Sequence, residues 1–250
     1  MEIEIIYFLT FFLAILQTIV GVGVLVLGTP LLLVLNYNMI EVMNLLLPIS
    51  ITTSFLNYLY LKSNKKKLKI NLDRDIKKNF ILIFFPGIFI GLYLTNKFLN
   101  YINFEVIVSA VIFASIYIKW KFSLKVNSLS LNFKKLILIA ISIIHGLTNS
   151  GGTLLTIFFT SFNQNKKNQT RYSITFYYLI LAIVQYGVFF SFFNNEIPFA
   201  YSLKFLLIIL TSVFIGNFIV KYIGERIFIK IIELLALFSA FFLLLNKYLF

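Results

Sequence analysis

The chain has 250 residues, of which 60% are hydrophobic and only 12% are charged, and its formal net charge is +13. So few polar residues cannot cover a water-soluble core, and the composition therefore predicts an all-α integral membrane protein. Lys and Arg lie almost entirely in short segments between apolar runs, as in cytoplasmic loops, so the charge indicates topology and no nucleic-acid partner. Because cysteine is absent, disulfides, Cys-ligated zinc and thiol nucleophiles are excluded.

The first apolar run, at 5–35, is too long for a single bilayer crossing, which takes about 20 helical residues. Gly21 and Gly23 lie near its midpoint. Glycine in this place permits a tight turn and a close approach of the backbone to a ligand. The run therefore predicts a broken or re-entrant helical hairpin, although packing against a neighbouring helix is an equally good explanation of these two glycines.

The second run, at 40–61, contains hydroxyl side chains at Thr52, Thr53 and Ser54. These groups are candidates for substrate binding. Their alternative role is to bond back to the backbone of their own helix, which is common near a proline such as Pro48. Two further runs, at 80–96 and 104–118, complete the first half of the chain.

The fifth run, at 136–162, is again too long for one crossing, and a polar segment interrupts it. The predicted binding residues in this segment are Thr148, Asn149, Ser150, Gly151 and Gly152. A helix that begins at such a turn directs free N–H groups and a positive dipole end at its surroundings, which suits an anion. His145 is the only histidine; it is a candidate proton relay, with a satisfied buried imidazole as the alternative.

The last three runs, at 172–193, 203–220 and 228–246, extend a pattern that repeats the first half. IFIG at 88–91 returns as VFIG at 213–216, SIT at 50–52 returns at 173–175, and Gly23 is matched by Gly151, all in the same order. We therefore expect one membrane domain, 1–250, built of two homologous halves, 1–125 and 130–250. Such duplication is common in secondary transporters.

The distribution of positive charge favours an inverted second half. If each long run is a re-entrant hairpin, both halves have three full crossings, and all 22 Lys and Arg residues fall inside except Lys97, Lys204 and Lys247. If instead all eight runs cross, more than twice as many lie outside. The positive-inside rule favours the first arrangement, with both termini outside.

These features resemble the sulfite exporter TauE/SafE family of membrane transporters along nearly the whole chain. HGLTNSGGTLL at 145–155 is similar to that family's GLxGxGGGxL signature, GVGVLVLGTPLLL at 21–33 to its GxGGGxxxxPxL signature, and ITTS at 51–54 to its ATS motif. The triple glycines are reduced here, and Phe158 stands where the second signature would place proline. The resemblance implies a permease in the bacterial inner membrane that exports small anions such as sulfite or sulfoacetate.

Other functions are less consistent with the sequence. One histidine, no cysteine and no acidic pair within a run predict no enzyme activity, no metal site and no cofactor. A non-transporting membrane scaffold subunit is an alternative, although a scaffold has no need of buried broken helices. Transport of another small solute stays an alternative, and so does a homo-oligomer.

Overall fold

The computed structural model of the chain describes residues 2–66, 68, 80–98, 103–122, 130–162, 166–193 and 203–249. These residues form helices and connections with no strand, which confirms the all-α prediction. The helices are α1 (Glu2–Val20), α2 (Val24–Val34), α3 (Met39–Ser63), α4 (Phe80–Phe98), α5 (Phe104–Phe122), α6 (Leu131–Thr148), α7 (Gly151–Phe162), α8 (Lys167–Phe193), α9 (Leu203–Ile219) and α10 (Glu225–Leu249). A 3₁₀ turn, Val220–Tyr222, extends α9.

Three helical segments in the described residues are long and apolar enough to cross a bilayer: Met39–Ser63, Lys167–Phe192 and Leu203–Tyr222. Large apolar side chains such as Leu82 and Phe214 point outward, as lipid-facing residues do. The other apolar helices are shorter over their described residues. The chain is a multi-pass membrane protein, and the predicted count of six full crossings stays a prediction.

Each of the two long apolar runs contains two helices. The helix α1 ends at Val20 and α2 begins at Val24. A Cβ placed on Gly23 would lie 2.7 Å from the backbone nitrogen of Gln17, and one on Gly28 would lie 3.1 Å from Leu13. The helix α2 therefore returns along α1. In the second run, α6 ends at Thr148 and α7 begins at Gly151.

The two longest helices, α3 and α8, pack against each other. Asn57 donates to the hydroxyl of Thr175 over 3.3 Å, and Leu61 packs with Tyr172. Because the later residue of α3 faces the earlier residue of α8, these helices run antiparallel. Their buried surfaces form the centre of the molecule.

Two further helix pairs have the same geometry as each other. Gly87 and Gly91 of α4 lie against Ser142 and Gly146 of α6, so this pair is parallel. In the other pair, α1 and α9, the ring of Tyr7 lies 4.8 Å from that of Phe205, and Gly216 lies against Thr18, which is also a parallel arrangement. Gly91 and Gly216 end the repeated IFIG and VFIG sequences, and each lets its helix approach a broken helix closely.

Candidate functional site

The first helix break, at residues 21–23, is closed by the side chain of Gln17. Its Nε2 donates to the backbone oxygen of Ser50 over 2.8 Å and to the hydroxyl of Ser54 over 2.9 Å. Its Oε1 accepts from the N–H of Val24 over 2.9 Å and so satisfies the first turn of α2. Gly21 adopts a positive φ of 98°. The predicted site residues Gly21 and Gly23 thus form a turn that Gln17 links to the start of α2 and to α3.

The hydroxyl groups predicted on α3 have local roles. Thr52 donates to the backbone oxygen of Pro48 over 2.9 Å and Thr53 to that of Ile49 over 2.7 Å. These bonds match the alternative explanation of a hydroxyl that bonds to its own helix. Of the three residues, Ser54 is the one that contacts the first break, through Gln17.

The second break, at residues 149–150, has a different local structure. Asn149 ends α6 in the left-handed conformation, with φ 59°. Thr148 donates to the backbone oxygen of Ile144 over 2.7 Å, and Ser150 donates to that of Thr148 over 3.2 Å. Gly151 is tightly enclosed, because a Cβ there would lie 2.5 Å from the Cβ of His145. This close contact requires glycine at the start of α7.

Around the second break, five side chains carry buried polar atoms that have no hydrogen-bond partner among the described residues. These atoms are both ring nitrogens of His145, Nδ2 of Asn149, Oγ1 of Thr153, the hydroxyl of Tyr178 and Oε1 of Gln185. A buried polar group without a partner costs about 1–3 kcal/mol, so such a concentration indicates a site for a polar ligand or water.

Direct contacts bring these side chains together. Gln185 donates to Oδ1 of Asn149 over 2.8 Å and to the backbone oxygen of His145 over 3.3 Å. The rings of His145 and Tyr178 are 5.7 Å apart. Thr153 lies in the first turn of α7, next to Gly152, whose Cβ position would lie 2.8 Å from Tyr178. We call these five residues the α7 cluster.

A small cavity lies between the two breaks. It is lined by Val20, Val22 and Gly23 from the first break, Thr153 and Thr156 from α7, and apolar residues of α10. Its volume is about 20 Å³, which is room for about one water molecule. This cavity therefore has no room for a multi-atom solute in this conformation.

Arg171 corrects one expectation from the sequence. The predicted apolar runs 136–162 and 172–193 leave this residue in a loop at 163–171. It lies instead inside α8, which begins at Lys167, and its side chain is buried, with 1% exposed. It donates from Nε to the backbone oxygen of Thr18, near the end of α1, over 2.8 Å.

Sequence reasoning also missed Tyr178. Its position follows from helical spacing, because residues 171, 175, 178 and 185 recur at intervals that keep them on one face of a helix.

The residues that the structure describes hold no group of three or more His, Cys, Asp or Glu side chains able to bind a metal ion.

The chain was compared with known proteins. The family model described as "Sulfite exporter TauE/SafE" matches residues 6–243. No curated protein and no solved structure shows significant similarity to the chain.

Proposed function

Because this chain belongs to the sulfite exporter TauE/SafE family of membrane transporters, we propose that it exports small sulfur-containing anions, such as sulfite or sulfoacetate, across a bacterial inner membrane. The family match covers residues 6–243, so the transporter assignment rests on both halves of the chain. The substrate is the finer part of the proposal.

The α7 cluster carries the proposal. Its members are buried near one another and carry an amide N–H, two hydroxyl groups and an imidazole, and the N–H groups that open α7 at Gly151 and Gly152 add donors with a positive dipole end. A sulfite ion presents three oxygen acceptors and a negative charge, which this set of donors matches. Binding by hydrogen bonds and a helix dipole also lets the ligand leave.

We place the predicted binding residues of the two breaks in different roles. Asn149, Gly151 and Gly152 contact the anion. Thr148 and Ser150 hold the turn through their bonds to the backbone. Gly21, Gly23 and Ser54 belong to the closed first break, and Thr52 and Thr53 support α3.

Two inverted homologous halves would give this site alternating access from the two sides of the membrane. Two observations support this arrangement. The α4–α6 contact at Gly91 has its counterpart in the α1–α9 contact at Gly216, at equivalent positions of the repeated sequence. The antiparallel packing of α3 on α8 is what inversion of one half relative to the other requires.

His145 is the proposed proton carrier of the cluster. Both of its ring nitrogens are buried without a partner among the described residues. An imidazole in this position can accept a hydrogen bond from a protonated anion or release a proton with it.

Anion efflux from proteoliposomes tests the proposal, with Thr153→Val as the variant and Thr160→Val as its matched control. Both substitutions remove a hydroxyl from α7 while keeping the side-chain shape. The hydroxyl of Thr153 has no hydrogen-bond partner among the described residues, whereas that of Thr160 bonds to the backbone of its own helix over 2.8 Å.

We expect sulfite efflux by the wild-type protein and a KM about 10-fold to 100-fold higher in Thr153→Val, because a hydrogen bond to a charged group contributes about 1.5–3 kcal/mol. Thr160→Val should transport like the wild type. Folded wild-type protein that moves none of sulfite, sulfoacetate, thiosulfate, sulfate or chloride would contradict the proposal and favour a scaffold subunit or another solute.

A further inference from the structure

Arg171 is a buried cation whose described partners are all neutral. Its Nε donates to the backbone oxygen of Thr18, and its Nη2 donates to Oδ1 of Asn57 over 2.9 Å and to Oδ1 of Asn217 over 2.7 Å. These partners come from α1, α3 and α9. Among the described residues no carboxylate bonds to this guanidinium.

This arrangement compensates the charge of Arg171 only in part. The end of α1 contributes the partial negative charge of a helix C-terminus, and the two amide oxygens contribute dipoles. A buried charge without an opposite charge is costly. A small oxyanion would supply the missing opposite charge, and the planar guanidinium matches the geometry of such an anion.

A polar stripe leads from Arg171 toward the α7 cluster. Thr175, Tyr178 and Gln185 follow on the same face of α8 as Arg171, and all four side chains are buried. The helical rise of about 1.5 Å per residue places Gln185 about 21 Å further along α8 than Arg171. On the opposing helix, α3, Asn57 donates to the hydroxyl of Thr175 over 3.3 Å, and Ser50 and Thr53 of the same helix are buried as well.

We propose that Arg171 is a second anion-binding site, separate from the α7 cluster and placed between it and the side of the membrane where α3 ends. The ligand is a small oxyanion, which binds the guanidinium and takes the place of the amide oxygens of Asn57 and Asn217. This inference rests on the proposed function in one respect, because it takes the bound anion to be the anion that the protein transports. In the conformation described here, the two asparagines close this site.

Equilibrium dialysis of radiolabelled sulfite against the purified full-length chain, at constant ionic strength, tests this proposal. The decisive variant is Asn217→Asp. Its carboxylate would meet Nη2 of Arg171 at the 2.7 Å contact that the amide oxygen now makes, and would act as a built-in competing anion. Asn217→Ser is the matched neutral control, and Arg226→Gln, at an exposed position, controls for loss of one positive charge.

We expect Asn217→Asp to fold, because it pairs a buried charge, and to weaken sulfite binding at least 10-fold or remove one bound sulfite per chain. The same loss should occur in a Thr153→Val background, which isolates this site from the α7 cluster. Arg171→Met should reproduce the loss where that variant folds. Arg226→Gln should bind sulfite as the wild type does, and Asn217→Ser, which removes one of the two closing amide oxygens without adding charge, should bind it at least as tightly as the wild type does.

Unchanged sulfite binding in Asn217→Asp in both backgrounds would overturn the proposal, and so would wild-type protein that binds no sulfite. The two proposals fail in distinguishable ways. Efflux that depends on Thr153 but not on Asn217→Asp leaves the permease and removes the Arg171 site. Sulfite binding that Asn217→Asp abolishes, without efflux from wild-type proteoliposomes, leaves the Arg171 site and removes the permease.

Discussion

Gln17 and His145 occupy equivalent positions, each six residues before the glycine, Gly23 or Gly151, that is matched between the halves. Gln17 uses both of its polar atoms within the protein, on Ser50, Ser54 and Val24. Neither ring nitrogen of His145 has a hydrogen-bond partner among the described residues. The first break is therefore stabilised by the hydrogen bonds of Gln17, whereas the equivalent side chain at the second break, His145, has ring nitrogens that are free to bind a ligand.

This difference predicts opposite effects on stability. Gln17→Leu leaves the N–H of Val24 and two hydroxyl groups of α3 without their partner, so we expect a loss of about 1–3 kcal/mol in the free energy of unfolding. His145→Leu removes no hydrogen bond of the side chain and should change stability by less than Gln17→Leu does. Thermal unfolding of the two purified variants in detergent measures the difference. Equal losses of stability would contradict the prediction, because they would mean that the imidazole of His145 makes hydrogen bonds in the folded protein.

At the scale of helices, the close contacts of α4 with α6 depend on glycine. A Cβ on Gly146 would lie 2.6 Å from the backbone oxygen of Ile88, and one on Gly91 would clash with the backbone oxygen of Ile143. Membrane helices attract one another chiefly through van der Waals packing, so small residues at the contact allow the closest approach. The close packing of these two helices is thus enough to explain the glycines at their contact, without a role in ligand binding.

Gly91→Val tests this packing. The added side chain must separate α4 from the backbone of α6, and overpacking of this kind costs about 1–3 kcal/mol. Gly187→Val is the matched control, because a Cβ on Gly187, in α8, meets no atom within 4 Å. Comparison of the unfolding midpoints of the two variants measures the effect, and a control that is as unstable as Gly91→Val would rule out this explanation.

At the scale of the whole molecule, inversion of the second half predicts on which side of the membrane each connecting segment lies. With two re-entrant hairpins, Lys66 and Lys166 lie on the inner side and Lys204 on the outer side. With eight crossings, Lys166 and Lys204 exchange sides. The chain contains no cysteine, so single cysteines introduced at these positions report on sidedness without background.

We expect a membrane-impermeant maleimide added to intact cells to label Lys204→Cys and to leave Lys166→Cys and Lys66→Cys unlabelled until the membrane is opened. The reason is the excess of basic residues in the segments near 66 and 166, which holds them on the cytoplasmic side. Labelling of Lys166→Cys in intact cells would exclude the inverted arrangement.

The sequence by itself determined the membrane class, the helical architecture and the family. The apolar composition indicates a membrane protein. In lipid, backbone N–H and C=O groups must bond within the protein, which favours helices. Glycines near the midpoints of two long apolar runs mark the segments where these helices end. All of these properties are local, or are sums over the chain.

Only the tertiary structure decided which polar groups have partners. The bonds of Gln17 reach α3, and those of Arg171 reach Thr18, Asn57 and Asn217 on three other helices. In the linear sequence, Arg171 is indistinguishable from a loop cation beside Lys166 and Lys167. Its burial depends on contacts between residues distant in the chain, and hydrogen-bond satisfaction is a property of those contacts and not of composition or spacing.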